Sequence, residues 1–513
     1  MDWPTRCCYK IKVCMNRAPV FLFFAWMAIA AEPQKDCERI KFLSLPDTTI
    51  IASEFVAAGP FTRPGASASG RRPVPAPARC RVNAVLKPSA DSNIEIEVWL
   101  PASGWNGKFL GVGNGGWSGD INFGGLLEGV REGYATASTD TGHKGGSGSF
   151  VLGHPEKVID FGYRAVHEMT VKSKAIVNAY YETRPQHSYW NGCSSGGKQG
   201  LKEAQLYPAD YDGIIAGAPA NSWSHLSAML LNAGFTNLRE PASVIQRAKL
   251  SLIHDAVVKA CDTLDGVKDG ILNNPRSCKF DIASLACKGS DAEDCLTPKQ
   301  VQTVKAIYGP VNDPRDGKMI FPGLALGSEL GWQAALGGPE PFAIPYDQFR
   351  YFVHEDANWD WRNFDLSRDT ALSDAKDKYI AALNPDLQAF KQRGGKLLLW
   401  HGWNDQLIAP ENSINYYNSV LSAMGPNQDD WVRLFMAPGM MHCSGGPGPD
   451  QFNSLGAMER WVEDGTAPAR ITASHVTDTR VDMTRPLCPY PQVAQYKGKG
   501  SVNDAVNFAC KQP

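Results

Sequence analysis

The chain lacks an excess of either charge. Its 51 basic and 53 acidic residues leave a formal net charge of -2, so there is no electrostatic case for nucleic acid or an anionic membrane as a partner. Beyond the N-terminus no stretch reaches the roughly 18 consecutive apolar residues of a spanning helix. Internal repeats and low-complexity tracts are missing as well, which leaves an ordinary globular organisation. No C-x-x-C pair occurs and the cysteine spacings are irregular, which argues against zinc. No Asn-x-Ser/Thr sequon occurs, which tilts toward a bacterial periplasm or medium rather than a eukaryotic secretory route. What is present is a globular composition, with 43% hydrophobic and 20% charged residues. A length of 513 residues suits one large domain with an insertion, or two to three ordinary domains.

The N-terminus reads as an export signal. Lys10, Lys12 and Arg17 precede the apolar run Val20 to Ala31, which ends in Ala28-Ile29-Ala30, the small-residue pattern of a cleavage site. A membrane anchor and a buried N-terminal helix are the rival readings, and Met15 offers a shorter start. Export fits the 13 cysteines. Cys7, Cys8 and Cys14 fall in the leader, 1–31. The other ten are Cys37, Cys80, Cys193, Cys261, Cys278, Cys287, Cys295, Cys443, Cys488 and Cys510. An even count in an exported chain predicts five disulfides, with connectivity open.

Alternation of apolar and acidic residues over Ser92 to Leu100 predicts a half-buried strand. Lys108 to Val112 and Tyr134 to Thr139 are further strand candidates, with a glycine-rich turn at Gly113-Asn114-Gly115-Gly116. Phe161 to Tyr181 has helical spacing, His187 to Trp190 suits a short strand, Lys198 to Leu206 a helix, and Ile214-Ile215-Ala216 a buried strand. From about Asn221 to Arg393 this rhythm stops. It resumes with a strand at Lys396 to Trp400, a helix near Asn412 to Met424, a strand at Trp431 to Met436 and a helix at Phe452 to Asp464. The expectation is an α/β fold with a mostly parallel sheet covered on both faces, in segments 32–220 and 394–513, and a lid domain inserted at 221–393.

The chemistry centres on Asn191-Gly192-Cys193-Ser194-Ser195-Gly196-Gly197, a G-x-S-x-G elbow between a strand and a helix. Glycines on both sides allow the tight turn that exposes the serine hydroxyl. A serine needs an imidazole base and a carboxylate to orient that base. In the α/β-hydrolase arrangement these follow in the order Ser, Asp, His, each past a strand end. Asp405 and His442 meet that rule. Asp140 and Asp160 compete for the acid, Asp405 could instead cap a helix, and His401 and His143 compete for the base. His442 is preferred because Cys443 adjoins it as Cys193 adjoins Ser194: if the two catalytic residues meet, a Cys193–Cys443 disulfide can clamp their loops together. The backbone N–H of Ser195, with one from Gly115-Gly116 (Gly116 being favoured), is the expected oxyanion hole, or else that loop is a plain glycine turn.

A second motif lies in the inserted span. Cys261-Asp262-Thr263-Leu264-Asp265-Gly266-Val267-Lys268-Asp269-Gly270-Ile271 crowds three carboxylates and two glycines into one turn, with Cys278 beyond it. It is not an EF-hand. The residues alone leave two readings open, a solvated acidic turn and a structural calcium site.

Together these motifs resemble the tannase and feruloyl esterase family of serine hydrolases, which also contains mono(2-hydroxyethyl) terephthalate hydrolase. The resemblance covers essentially the mature chain. It is carried by the elbow, by Gly133 to His143, by the acidic loop, and by the pairing of Cys-Ser with His-Cys. It implies an α/β-hydrolase core with an inserted lid, and a triad of Ser194, Asp405 and His442. It implies a calcium site of Asp262, Asp265 and Asp269 side chains with the Val267 and Ile271 carbonyls. The disulfides it implies are Cys193–Cys443, Cys37–Cys80, Cys261–Cys278, Cys287–Cys295 and Cys488–Cys510. The implied activity is hydrolysis of small esters of aromatic or phenolic acids through an acyl-enzyme, in a secreted or periplasmic protein. A terephthalate monoester hydrolase is the alternative; a peptidase and a non-catalytic calcium-dependent binding protein are the other classes. Phe349, Tyr351, Phe352, Trp359, Trp361 and Phe364 could stack on an aryl ring or form lid core.

Overall fold

The computed structural model describes residues 33–64 and 73–513, so the stretch read as an export signal, with Cys7, Cys8 and Cys14, lies outside the described residues. Nine strands form the central sheet: β1 (Thr48–Val56), β2 (Arg79–Leu86), β3 (Ile94–Pro101), β4 (Lys108–Val112), β5 (Ala135–Thr139), β6 (His187–Cys193), β7 (Gly213–Gly217), β8 (Lys396–Gly402) and β9 (Val432–Ala437). Their spatial order is β1-β2-β3-β5-β4-β6-β7-β8-β9. From β5 to β9 all neighbours run parallel. At the other end β1, β2 and β3 pair antiparallel, and β3 joins β5 antiparallel. The sheet is therefore mixed, with a parallel majority of six strands. The sequence pattern showed neither β1 nor β2, because prolines and glycines crowd the 57–77 connection and mask the pairing of its flanks.

Period-2 alternation within each strand sends side chains to two separate cores. Phe109, Trp190, Ile214, Leu397, Leu399 and Leu434 point into one, which helices α2 (Ala165–Tyr181), α3 (Ser195–Leu206) and α8 (Glu411–Met424) cover. Leu110, Tyr189, Ile215, Leu398 and Phe435 point into the other, beneath α1 (Phe123–Arg131) and α9 (Ser454–Glu463). Strands buried on both faces read as near-continuous apolar runs, which is why Lys396 to Trp400 announces itself.

Between β7 and β8 the chain leaves the sheet. This span holds four helices of eight or more residues: α4 (Trp223–Leu238), α5 (Arg247–Cys261), α6 (Pro298–Tyr308) and α7 (Leu366–Lys376). Their apolar faces share one cluster with Trp117, Val151, Val158 and Phe161 from the sheet-bearing part. Phe349, Phe352, Trp359, Trp361 and Phe364 are buried in that cluster, and Tyr351 packs against it, so these aromatics are packing residues. Sulfurs meet at bonding distance in five pairs: Cys37–Cys80, Cys193–Cys443, Cys261–Cys278, Cys287–Cys295 and Cys488–Cys510. Among the described residues no helix is long and apolar enough to cross a membrane.

Candidate active site

The parallel strands end in register at one edge. Cys193 lies opposite Gly217, Trp400 opposite Gly217, and Gly402 opposite Ala437, so the loops after β6, β8 and β9 leave side by side. In such sheets the crevice beyond the strand C-termini is where ligands bind.

After β6 the chain turns at Ser194, whose backbone is at φ 64° and ψ -122°, a conformation costly for any residue with a side chain. The turn is held by hydrogen bonds from the Ser194 N–H to the Gly217 carbonyl (2.9 Å) and from the Lys198 and Ala220 N–H groups to the Ser194 carbonyl. A Cβ on Gly192 would stand 2.5 Å from the Gly196 backbone, and one on Gly197 2.5 Å from the Gly217 carbonyl oxygen, so both elbow glycines are required by contact. Ser195 opens α3 and its hydroxyl donates to the Gly116 carbonyl at 2.9 Å. That bond ties the glycine-rich turn after β4 to the start of the helix.

Asp405, three residues past β8, is fully buried. Its Oδ1 accepts the Leu407 and Ile408 N–H groups, each at 2.8 Å. Its Oδ2 lies 2.7 Å from His442 Nδ1 and 3.1 Å from His401 Nε2. Burial pushes the Asp405 carboxyl up, but His442 and His401 outweigh it and hold the group well below the usual carboxylate range. Burial lowers His442, yet the Asp405 charge wins and its pKa stands above the ordinary imidazole value. The imidazole is thus oriented through Nδ1. The loop beyond β9 is fastened by the Cys193–Cys443 bond, with Cα atoms 5.9 Å apart and 250 residues between them. With adjacent Cα atoms about 3.8 Å apart, this bond keeps the Ser194 and His442 Cα atoms within about 14 Å.

The rival residues are engaged elsewhere. Asp140 accepts the Glu95 and Gly142 N–H groups, and Asp160 pairs with Arg164 and Ser92. His143 bonds the Trp117 carbonyl at 2.7 Å and stacks on Phe150. His401 has a part the sequence did not disclose. It is buried, and its Nε2 sits 3.1 Å from Asp405 Oδ2 and 3.0 Å from the Ile408 carbonyl, both acceptors, while Nδ1 faces Ser413 Oγ at 2.7 Å. Nε2 is therefore the protonated nitrogen, aimed at the same carboxylate as His442. Gln406 was also missed; its Oε1 accepts the His442 N–H at 3.1 Å. The span between β7 and β8 reaches the loops after β4 and β8. Trp117 Nε1 donates to the Ile344 carbonyl, Asn404 Nδ2 to the Gly327 carbonyl, and Gln406 packs on Gly331.

The acidic turn follows α5. Asp262 Oδ1 accepts the Asp269 and Gly270 N–H groups, Asp265 Oδ1 accepts Val267 N–H, and Asp269 Oδ1 accepts Ile271 N–H. Arg485 pairs with Asp269. Burial raises Asp265, and raises Asp269 to about 6 despite Arg485, with the neighbouring carboxylates adding to both shifts. Three carboxylates against one guanidinium is an all-oxygen donor set with surplus negative charge, which suits a hard cation. Among the described residues, however, the tight triple of ligand side chains lies elsewhere, at His167, Glu203 and Asp210.

Residues 80–511 match the family model described as "Tannase and feruloyl esterase". The chain belongs to this family. A protein of Xanthomonas campestris described as an uncharacterized esterase is 38% identical, covering 92% of this chain and 91% of its own length. A probable feruloyl esterase B-2 of Aspergillus oryzae is 35% identical over 84% of this chain and 86% of its own. Among solved structures, feruloyl esterase B from Aspergillus oryzae superposes with a TM-score of 0.88 at 32% identity, covering 94% of this chain and 100% of that one. Tannin acyl hydrolase from Aspergillus niger, at 22% identity and TM-score 0.77, shares the fold over 94% of this chain and 96% of its own. The fold is that of an α/β-hydrolase, and this tannase-family chain is a carboxylic ester hydrolase of the feruloyl esterase or tannase type.

Proposed function

We propose that the chain is an exported serine esterase that hydrolyses esters of aromatic or phenolic acids. Ser194 attacks the ester carbonyl while His442 takes its proton and Asp405 keeps the imidazole in the productive tautomer. The tetrahedral oxyanion rests on the Ser195 and Gly116 amides, each worth about 3 kcal/mol of transition-state stabilisation. The alcohol leaves with the proton from His442, and water then cleaves the acyl-enzyme. The observation that carries this reading is the 2.7 Å Asp405–His442 contact on a loop cross-linked to the elbow beside Ser194. The span 221–393 acts as a lid, supported by its contacts to the loops bearing Gly116, Asn404 and Gln406. Five disulfides suit an oxidising compartment, in keeping with export.

The test is a turnover panel of methyl ferulate, methyl gallate and mono(2-hydroxyethyl) terephthalate on the oxidised mature chain. The feruloyl or tannase reading expects the first two to lead, and a leading terephthalate monoester transfers the assignment to that hydrolase type. Ser194→Ala is expected to lose at least about 10⁴-fold in kcat on every ester with an unchanged melting curve. Undiminished turnover in that variant would sink the triad, and amide cleavage matching ester cleavage would make it a peptidase.

We further assign a structural calcium ion to the acidic turn, held by the Asp262, Asp265 and Asp269 carboxylates with the Val267 and Ile271 carbonyls. Bound calcium would supply the positive charge that Arg485 alone does not. Chelation should lower Tm and leave kcat at low temperature unchanged. A melting curve indifferent to both chelator and added calcium removes the assignment.

A further inference from the structure

A second polar cluster lies away from the esterase site and has no part in it. His167 stands on α2, Glu203 near the far end of α3, and Asp210 in the loop leading to β7. One ligand atom from each of the three side chains lies within 4.8 Å of the others. His167 Nδ1 is 2.7 Å from Asp210 Oδ2, and the imidazole is fixed by stacking on Tyr207 at 3.6 Å between ring centroids. Glu203 is the unusual member: it is fully buried, and no donor among the described residues reaches either of its carboxylate oxygens. The nearby cations are occupied. Lys174 bonds the Asp210 backbone carbonyl, and Arg393 serves Pro208, Tyr211 and Asp212.

A buried carboxylate without a partner is costly, and one facing a second carboxylate is more so. The Glu203 and Asp210 oxygens lie within 4.8 Å of one another and Glu203 has no donor among the described residues, so the cluster needs a positive species between its acids. A shared proton satisfies the two carboxyls and leaves the imidazole aside. A divalent metal ion satisfies all three groups at once. One imidazole nitrogen with two carboxylate oxygens is a donor set for a borderline transition ion, and zinc accepts this combination with a fourth position left to water.

We propose that His167, Glu203 and Asp210 form a binding site for a divalent transition-metal ion of the zinc type. The ion fastens α2 to the distal end of α3, the helix whose other end carries the nucleophile elbow, and it takes no part in ester cleavage. The site is independent of the acidic turn and of the triad.

The experiment uses tag-free full-length protein stripped with chelator, then dialysed against zinc chloride. Expected are one equivalent of bound zinc, a higher Tm with zinc added, and an anomalous diffraction peak between the three side chains. Glu203→Gln and His167→Asn should each weaken zinc binding at least tenfold, whereas Asp269→Asn, in the acidic turn, should not. The proposal is overturned if the native chain takes up no zinc, or if the peak lies elsewhere. It is equally overturned if Glu203→Gln binds zinc as the native chain does. An apo protein that Glu203→Gln stabilises and zinc ignores would assign the cluster to the shared proton.

Discussion

The sheet edge and the span between β7 and β8 are cross-linked in opposite ways. In the span, Cys261–Cys278 and Cys287–Cys295 close loops with sequence separations of 17 and 8. At the edge, Cys193–Cys443 joins residues 250 apart. In the chain-entropy model the long closure restrains the unfolded chain by roughly 2 kcal/mol more than the 17-residue one. Its larger consequence is positional. The local bridges shape single turns of the span, while the distant one fastens the loop carrying the base to the loop carrying the nucleophile. The same contrast holds for the hydrogen bonds: the acidic turn is bonded mostly to its own backbone, whereas Asp405 gathers partners from 401, 407, 408 and 442.

The contrast is broken most severely at the carboxylate. Asp405→Asn keeps the shape but removes the charge that orients His442, so kcat should fall about 10⁴-fold. Because Asp405 raises the His442 pKa, the native acid limb of the pH–kcat/KM profile should lie above the ordinary imidazole value, with activity appearing as pH rises and the base is freed. In Asp405→Asn that limb should move to lower pH; a limb that stays put would deny the pairing. Next, replacing Cys193 and Cys443 together by alanine should lower kcat about 100-fold by loosening the base loop. Replacing Cys287 and Cys295 should lower Tm and leave kcat/KM unchanged. Equal kinetic losses from the two pairs would erase the distinction between the positional and the local bridge. The smallest effect concerns His401. His401→Phe removes a hydrogen bond to Asp405 and should cost about tenfold in kcat, with His401→Gln recovering part of it. It should also carry the acid limb to higher pH, since His442 then has Asp405 Oδ2 to itself; a drop in Tm with an unmoved pH profile would reduce His401 to a packing residue.

Much of the edge was readable because its signals are short-range. Gly192 is demanded by a contact only four residues away, at Gly196, and Leu397 to Leu399 read as a buried strand from apolarity alone. β1 and β2 escaped because their pairing spans a proline-rich connection, and the mixed character of the sheet escaped with them. Gln406 carried no signal of its own, and His401 offered only its place by a strand end, which made it a rival base. The part of Gln406 follows from the strand order that sets β8 beside β9, and that of His401 from its burial against Asp405, Ile408 and Ser413. Glu203 reads as one more polar residue of an amphipathic helix until α2 is packed against it.

By itself the sequence determined the strand and helix periodicity, the elbow, the family, and the residue types required for ester hydrolysis. Those rest on backbone sterics and side-chain chemistry, which act within a few residues. That a second histidine shares the carboxylate, which buried acid has no donor, and which loops share an edge were decided only by the tertiary structure. Each depends on segments up to 250 residues apart meeting through the order and register of the sheet, and no local preference encodes that.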